Sequence, residues 1–461
     1  MLNIYKKLFS DCNECEIQYC SWKNNHALQD ECSGDGDIDL LVSSVQHHSF
    51  ENLLYQNNFI RVYSSVSEYP FVKHYFAYDE SEAKFAHLHV YYKLITGDSH
   101  LKNYRFPVED SMLKCSSVSN GGTREAHPQH QAEIYMLRKY VKSSSVLGLF
   151  LLFRERLDYK NELEYIRNKL FILKNNYQVE PLFNFKVEFK KHLSLVDLLK
   201  IKFHIRGWHR GVGITEKLFQ LNVRILNKLI FKRKKTINGS IISIVGLDGS
   251  GKSTAVDMLE KWLAKDFTVK VFHFGRPPIT WLTWPIRLSL WFRSIIWKKG
   301  PAASLQDTAS YSNIGFISRV RYAALAFERS SLMRRAHQFS INGGIAILDR
   351  HPSPHVGKMD SPRIIDMSKI LGRVESSLYG NMPNADLLFK FNVSVEEAIK
   401  RNQKRVKKDK ETDNEIRQRF EINNNLVYNA RLVCEVDAMQ SIDMVHNLLK
   451  REIWKFIVST N

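Results

Sequence analysis

The chain has 461 residues, of which 44% are hydrophobic, and carries a formal net charge of +19. This length exceeds one ordinary hydrophobic core and predicts two or three domains, while the excess of Lys and Arg favours anionic partners: phosphorylated substrates, a membrane surface or nucleic acid. No stretch approaches the ~20 apolar residues of a membrane span, and the N-terminus lacks the apolar core of a signal peptide, so we expect a cytoplasmic protein.

Six cysteines in so long a chain are not a disulfide framework and are typical of a reducing compartment. Cys12 and Cys15 have the C-x-x-C spacing of half a zinc site, but no second short pair follows, which favours ordinary thiols. His87, His89, His127 and His130 are expected to be strand or surface residues rather than metal ligands.

The first predicted domain, residues 1–155, alternates short β-like runs with polar loops. The run 37–42 carries Asp37 and Asp39, and strand alternation directs both carboxylates to one face, where they could share Mg²⁺. With the run 19–23 upstream, residues 15–110 resemble the nucleotidyltransferase-fold family. That resemblance implies an α+β domain and a third carboxylate near 86–89, where histidines stand instead. An active transferase, a fold kept for binding or scaffolding, and an unrelated loop remain open; the second is favoured.

A basic helical connector is predicted over residues 156–239. Apolar residues recur at three- and four-residue spacing in its second half, as in an amphipathic helix, namely at Ile214, Leu218, Leu221, Ile225 and Leu229. The basic run 232–235 ends it. A solvated helix end is the favoured interpretation of this run, and a surface for membrane or nucleic acid is the alternative.

The third predicted domain, residues 240–461, opens with a complete G-x-x-x-x-G-K-[ST] phosphate loop at 246–253. A strand-like run precedes the loop and a helix-like run follows it, so its N–H groups can turn toward phosphate oxygens at a helix N-terminus. Lys252 is predicted to reach the β- and γ-phosphates of ATP, and the Ser253 hydroxyl to ligate Mg²⁺. The residues expected to bind ATP are Gly246, Gly249, Ser250, Gly251, Lys252, Ser253 and Thr254.

Four further strands are predicted at 269–274, 344–349, 386–391 and 432–437, alternating with helices. This alternation is typical of a parallel α/β sheet, which with the loop strand has five strands. Ligands bind beyond the carboxyl ends of such strands, where the chain places Arg276 and the pair Asp349–Arg350.

This ordered set resembles the thymidylate kinase family of P-loop kinases over residues 240–455. It comprises Asp248 inside the loop, Arg276, the run 327–329, Asp349–Arg350, an arginine-rich lid and the run 436–438. The resemblance implies that Arg276 and Arg350 clamp the phosphate of the acceptor, as planar guanidinium groups do. It also implies that Asp248 binds a sugar hydroxyl of the acceptor, and that Asp349 orients Mg²⁺ through its waters.

The same resemblance implies that Arg401 and Arg405 close over the transferred phosphoryl group and neutralise its charge. Arg329 resembles the acceptor-site arginine of the family, with a simple surface arginine as the alternative. The run 404–410 is interpreted as a mobile lid rather than as a solvated helix face.

Two departures from the family pattern bear on the acceptor. His351 stands where an aromatic residue is usual, and two prolines follow it. A tryptophan-rich insert at 281–299 is expected to pack as core or over the acceptor pocket, with an interfacial membrane helix as the alternative. The acceptor site is therefore not that of a plain thymidylate kinase.

We therefore expect an ATP- and Mg²⁺-dependent phosphotransferase that acts on a nucleoside monophosphate or a sugar derivative. Fusions of this kind resemble those of bacterial surface-polysaccharide gene neighbourhoods, which implies a role in sugar metabolism. The alternative is an ATP-binding regulatory or scaffold protein with a degenerate nucleotidyltransferase domain. A homodimer and a peripheral contact with the inner face of the membrane are compatible with the sequence, whereas no motif that reads nucleic-acid bases is present.

Overall fold

A computed structural model describes residues 1–64, 68–69, 71–97, 102, 104–119, 122–143, 157–173, 179–184, 200–201, 203–208, 215, 218–219, 222, 234–275, 277–296, 315–357, 360–364, 366, 368–404, 412–423, 426 and 428–461. The chain divides into two compact units, residues 1–234 and 235–460. Most of the predicted amphipathic helix of the connector lies outside the described residues, and the three-part division stays a prediction.

The N-terminal unit is built on a mixed sheet of eight strands in the order β10-β3-β4-β5-β2-β1-β9-β8. These strands are β1 (Tyr19–Ser21), β2 (Asp37–Val42), β3 (Ile60–Ser64), β4 (Val72–Asp79), β5 (Lys84–Tyr91), β8 (Ser117–Val118), β9 (Arg124–Glu125) and β10 (Lys234–Thr236), the last at the unit boundary. A separate pair is formed by β6 (Leu94–Thr96) and β7 (Tyr104–Phe106). The central strands β2 and β5 run parallel, and β4 lies antiparallel to β5.

Helices cover both faces of this sheet. They are α1 (Asn3–Glu14), α2 (Leu28–Asp30), α3 (His47–Gln56), α4 (Glu109–Lys114), α5 (Pro128–Ser143) and α6 (Leu157–Ile172). Successive residues of a strand point to opposite faces, so Leu40 packs in a core cluster with residues of α1 and α3, while Leu41 packs in another with residues of α5. That second cluster also contains Ile201 and Ile205, so part of the predicted connector packs within this unit.

The C-terminal unit contains the five-stranded parallel sheet that the sequence predicts. Its order is β12-β13-β11-β14-β15, formed by β11 (Ser240–Gly246), β12 (Val269–His273), β13 (Ile345–Asp349), β14 (Ala385–Asn392) and β15 (Ala430–Asp437). The central strand β11 pairs in parallel with β13 and β14. Residues 240–245 are all buried, as expected for a central strand covered on both faces. The α/β class and the five strands are confirmed.

The helices of this unit are α7 (Lys252–Leu263), α8 (Trp284–Ile296), α9 (Phe316–Ile341), α10 (Ile370–Gly380), α11 (Val395–Lys404), α12 (Asp413–Asn423) and α13 (Ile442–Thr460). Because the strands are parallel, the carboxyl ends of β11, β12 and β13 meet at one edge of the sheet, where the candidate site lies. Within the part of the chain that the structure describes, no helix is both long and apolar enough to cross a bilayer.

Candidate functional site

The phosphate loop joins the end of β11 to the start of α7, and its glycines carry the turn. Gly246, Gly249 and Gly251 have φ angles of 151°, 87° and 93°. A Cβ at Gly246 would lie 2.8 Å from the carbonyl oxygen of Phe391, and one at Gly249 would lie 2.9 Å from that of Ala398. Backbone approach as well as turn geometry therefore requires glycine here, and the loop keeps the form that cradles phosphate.

Lys252 begins helix α7 and points back into the loop. Its Nζ donates to the carbonyl oxygen of Leu247 at 2.6 Å and lies 3.8 Å from Asp248 Oδ1. Burial lowers the pKa of Lys252 to about 8, although Asp248 opposes the shift. Ser253 is exposed on the first turn of the helix, where its hydroxyl is open to a metal ion.

Asp248 is the point on which the cations of the site converge. Its Oδ1 accepts a hydrogen bond from Arg350 Nη2 at 3.2 Å, and its Oδ2 accepts one from Arg419 Nη1 at 2.9 Å. With Lys252 nearby, three cations surround one carboxylate that is 26% exposed. A phosphate could therefore compete with Asp248 for these cations.

Arg419, on α12, was missed by sequence reasoning. It lies after the predicted lid, on a helix that also carries Arg417. In the sequence this pair looks like the arginines of an ordinary solvent-exposed helix, so nothing marks Arg419 as a site residue. Arg417 is 55% exposed and lies 3.9 Å from Glu396. Only the three-dimensional packing of α12 distinguishes the two side chains.

Arg350 sits directly after β13 in a constrained backbone conformation. Its φ of 76° is in the left-handed region, which costs a non-glycine residue roughly 1–3 kcal/mol and clusters at functional sites. Burial opposes its charge, but Asp360 and Asp248 raise the pKa of Arg350. Its neighbour Asp349 is close to the exposed His273, with Oδ2 3.0 Å from Nδ1.

Arg329, on α9, is buried rather than on the surface. Its Nη2 donates to Asp360 Oδ1 at 2.5 Å, its Nη1 to the Tyr379 hydroxyl at 2.7 Å, and its Nε to the carbonyl oxygen of Phe274 at 3.2 Å. Asp360 also accepts a hydrogen bond from Arg350 at 3.4 Å. The arrangement makes Arg329 a support that holds Asp360 in place, and through Asp360 it orients Arg350.

Of the predicted lid arginines Arg401 and Arg405 and the predicted clamp Arg276, only Arg401 lies within the described residues. Arg401 donates to Glu397 at 2.8 Å and to the carbonyl oxygen of Ala438 at 2.9 Å, so it is not brought to Asp248. Arg276 and Arg405 lie outside the described residues, and so does most of the run 404–410. Their roles remain predictions.

His351 is buried beside the site. Its Nδ1 lies 2.7 Å from the carbonyl oxygen of Pro352, its ring faces Tyr428 with centroids 6.2 Å apart, and burial lowers its pKa. Within the described residues its Nε2 is buried without a hydrogen-bond partner. Neutral imidazole offers one donor and one acceptor, so this nitrogen is available to a ligand.

The described tryptophans of the insert do not pack as core, and packing over the acceptor pocket stays a prediction. Trp281, Trp284 and Trp291 are 82%, 57% and 56% exposed, so the expectation of core packing is wrong for these side chains. The physical reason is that polar contacts anchor the segment: the buried Glu328 accepts hydrogen bonds from Thr283 at 2.6 Å and from Arg287 at 2.5 Å. The rest of the insert, 297–299, lies outside the described residues.

In the N-terminal unit, the structure brings Asp37 and Asp39 together with His89. The His89 Nδ1 lies 2.5 Å from Asp37 and 3.4 Å from Asp39, and Lys23 Nζ lies 2.8 Å from Asp39. Despite burial, the hydrogen bond from His89 holds the pKa of Asp37 at about 2. Burial and the charges of the two aspartates raise the pKa of the nearby Glu31 to about 8. Both aspartates are therefore ionised and already paired with basic side chains.

Comparisons with known proteins identify no family. No family profile and no curated protein matches the sequence. Among solved structures, a deoxyadenosine kinase from M. mycoides with products bound is 15% identical, covers 46% of this chain and 98% of its own, and has a TM-score of 0.27. The same enzyme with bound dATP is 17% identical over 46% and 98%, with a TM-score of 0.26. The protein designated APE1195 is 18% identical over 49% and 99%, with a TM-score of 0.25. TM-scores this low do not establish a shared fold.

Proposed function

We propose that the C-terminal unit is an ATP- and Mg²⁺-dependent kinase that transfers the γ-phosphoryl group to a small acceptor. The observation that carries this proposal is the convergence of Lys252, Arg350 and Arg419 on Asp248 at the opening of a phosphate loop. When substrates bind, these three cations can release the Asp248 carboxylate and bind phosphate oxygens of the donor and the acceptor instead. Guanidinium groups suit this role because they bind phosphate bidentately.

The donor side fits ATP. The loop glycines allow backbone N–H groups to point toward phosphate oxygens. The buried Lys252 could bind the same phosphates, and its Nζ donates here to the carbonyl oxygen of Leu247. The exposed Ser253 hydroxyl suits direct coordination of Mg²⁺, with Asp349 orienting its waters. Bound there, Mg²⁺ would supply charge neutralisation across the β- and γ-phosphates.

The acceptor side allows two chemistries. A nucleoside monophosphate is already an anionic nucleophile, and Arg350 and Arg419 would position its phosphate. A sugar hydroxyl must lose a proton, and Asp349 is then the base, with His273 3.0 Å away to pair with it. In both cases the Nε2 atom of His351, which has no hydrogen-bond partner among the described residues, supports recognition of a polar group on the acceptor.

A regulatory role is the competing function. In that case ATP would close the segment that contains Arg405, and the N-terminal unit would recruit a partner without turnover. We propose the kinase in preference because Arg350 and Arg419 come from elements outside the phosphate loop. Binding of ATP alone does not require these two additional arginines. A role in surface-polysaccharide metabolism is proposed only because the combination of the two domains resembles fusions from bacterial surface-polysaccharide gene neighbourhoods.

A screen for acceptor-stimulated ADP release tests the proposal. The panel contains nucleoside monophosphates, sugars and sugar phosphates, each with ATP and Mg²⁺. Release stimulated by one acceptor class and lost in Lys252→Ala supports the kinase. ATP binding without stimulation by any acceptor favours the regulatory protein.

We also propose that α8 contacts an anionic membrane surface at the headgroup level. Its exposed tryptophans support this, since indole rings favour the interface, and the net charge of +19 supports the attraction. Co-sedimentation with vesicles of anionic and of zwitterionic lipid tests it, with Ile341→Ala as a control that removes an exposed apolar side chain from another helix.

A further inference from the structure

Three histidines of the N-terminal unit lie on one face of its sheet. His87 and His89 are alternate residues of β5, and His74 of β4 is the register partner of His89. On the other side of β5, Asp37 and Asp39 of β2 are the register partners of His87 and His89. Alternation along each strand therefore directs all five side chains to the same side.

The imidazole rings are close enough to share one ion. His74 Nδ1 lies 3.4 Å from His87 Nε2, and one nitrogen from each of His74, His87 and His89 lies within 4.8 Å of the others. Zn–N bonds of about 2.0–2.1 Å place tetrahedral ligand atoms roughly 3.3 Å apart. The 3.4 Å between His74 Nδ1 and His87 Nε2 therefore matches the distance between two ligand atoms of one zinc ion.

Aromatic packing also holds one of these rings in place. The ring of Phe76 stacks on His87 with centroids 4.0 Å apart, which fixes the orientation of that imidazole.

Asp37 accepts a hydrogen bond from one of the histidines, His89, as carboxylates next to metal-bound histidines commonly do. Ligating imidazoles usually donate their second N–H to a carboxylate, which fixes the tautomer and increases the basicity of the ligand. The 2.5 Å contact of His89 Nδ1 with Asp37 is such a pair, and it leaves His89 Nε2 for an ion.

The charges around the cluster can accommodate a divalent ion. The carboxylates of Asp37 and Asp39 lie 2.5 Å and 3.4 Å from the Nδ1 atom of His89, and Lys23 Nζ lies 2.8 Å from Asp39. A divalent cation would relieve the repulsion among the carboxylates.

We propose that His74, His87 and His89 bind one divalent transition-metal ion, best suited to zinc, and that Asp37 positions His89 for it. This differs from the Mg²⁺ that strand alternation in the sequence predicts at Asp37 and Asp39. Mg²⁺ prefers oxygen ligands, whereas imidazole suits zinc and its neighbours, and both aspartates are already engaged by basic side chains. Three protein ligands leave a fourth position for water or a substrate oxygen.

Calorimetric titration of the chelator-treated full chain with Zn²⁺ and with Mg²⁺ tests this site. We expect about one zinc ion per chain, undisturbed by excess Mg²⁺, and loss of that binding in His74→Gln and His87→Gln. His48→Asn, at a histidine outside the cluster, should bind as the unmodified protein does. Asp37→Asn should keep the stoichiometry and weaken zinc roughly 10- to 100-fold.

Cobalt substitution distinguishes this site from the cysteines without any variant. Bound Co²⁺ should show the visible bands of tetrahedral nitrogen and oxygen ligands and no thiolate charge-transfer band. Binding that persists in both histidine variants, a thiolate spectrum, or Mg²⁺ bound through Asp37 in place of zinc would overturn the proposal. The measurement does not depend on ATP, so failure of the proposed kinase leaves it unaffected.

Discussion

Replacing Asp360 with Asn removes the negative charge that faces two arginines of the candidate site. Asp360 and Arg329 are 9% and 7% exposed in their ion pair, whereas Arg350 is 28% exposed. Removing one partner of a buried pair leaves an uncompensated charge and costs about 3–5 kcal/mol. Because Asn retains the shape and one acceptor oxygen, and because solvent screens Arg350, we expect the lower end, about 3 kcal/mol.

Differential scanning calorimetry of the full chain measures this loss. The transition of the C-terminal unit is the one that ATP and Mg²⁺ displace upward, and for a unit of this size the loss corresponds to roughly 6–12 °C. Asp366→Asn is the matched control, because that exposed carboxylate hydrogen-bonds only the nearby Ser368 among the described contacts. A shift for Asp360→Asn no larger than that of the control would refute the role given to the buried pair.

Three further predictions concern the same unit. ATP affinity should fall as the pH rises through about 8, because Lys252, with its pKa lowered to about 8, loses the proton that pairs with phosphate; titration calorimetry from pH 6.5 to 9.5 checks this, and an unchanged affinity would contradict it. Arg419→Gln should lower kcat/KM for the acceptor by roughly 10- to 100-fold, the loss of one charge-assisted contact, whereas Arg417→Gln should have little effect; equal effects in steady-state assays would show that the contact of Arg419 is incidental. Replacing Trp284 and Trp291, the exposed tryptophans of α8, together with Ser should weaken binding to anionic vesicles, and unchanged co-sedimentation would exclude α8 as the contact.

The sequence was sufficient for the C-terminal sheet because its evidence is local. The three central strands β11, β13 and β14 are short, mostly buried apolar runs. Gly246, Gly249 and Gly251 have positive φ angles, which is a local requirement of the loop. Parallel strands then bring Asp349 and Arg350 beside the phosphate loop without any knowledge of side-chain contacts.

The contacts that define the site were not predictable because they join distant segments. Arg419 contacts Asp248 across 171 residues of sequence, and Arg329 of α9 contacts Asp360, which lies 31 residues further along the chain. The sequence predicts that the tryptophans of the insert pack as core or over the acceptor pocket, and it does not reveal that Glu328 fixes the segment through polar contacts with Thr283 and Arg287.

The histidine cluster shows the same limit in the N-terminal unit. His87 and His89 looked like ordinary strand residues, since a metal site there depends on which strand lies next to β5. The pairing of β4 and β2 on either side of β5 supplies His74 and Asp37, and strand order is set by the packing of the whole sheet.

The central claim is that the C-terminal unit moves a phosphoryl group from ATP to a small acceptor. Its most direct test is ADP release from the full chain with each acceptor class, compared between Lys252→Ala and Lys261→Ala, an exposed lysine of the same helix. We predict release that depends on one acceptor class, survives Lys261→Ala and is lost in Lys252→Ala. Release that no acceptor stimulates, in a protein that binds ATP normally, would contradict the account.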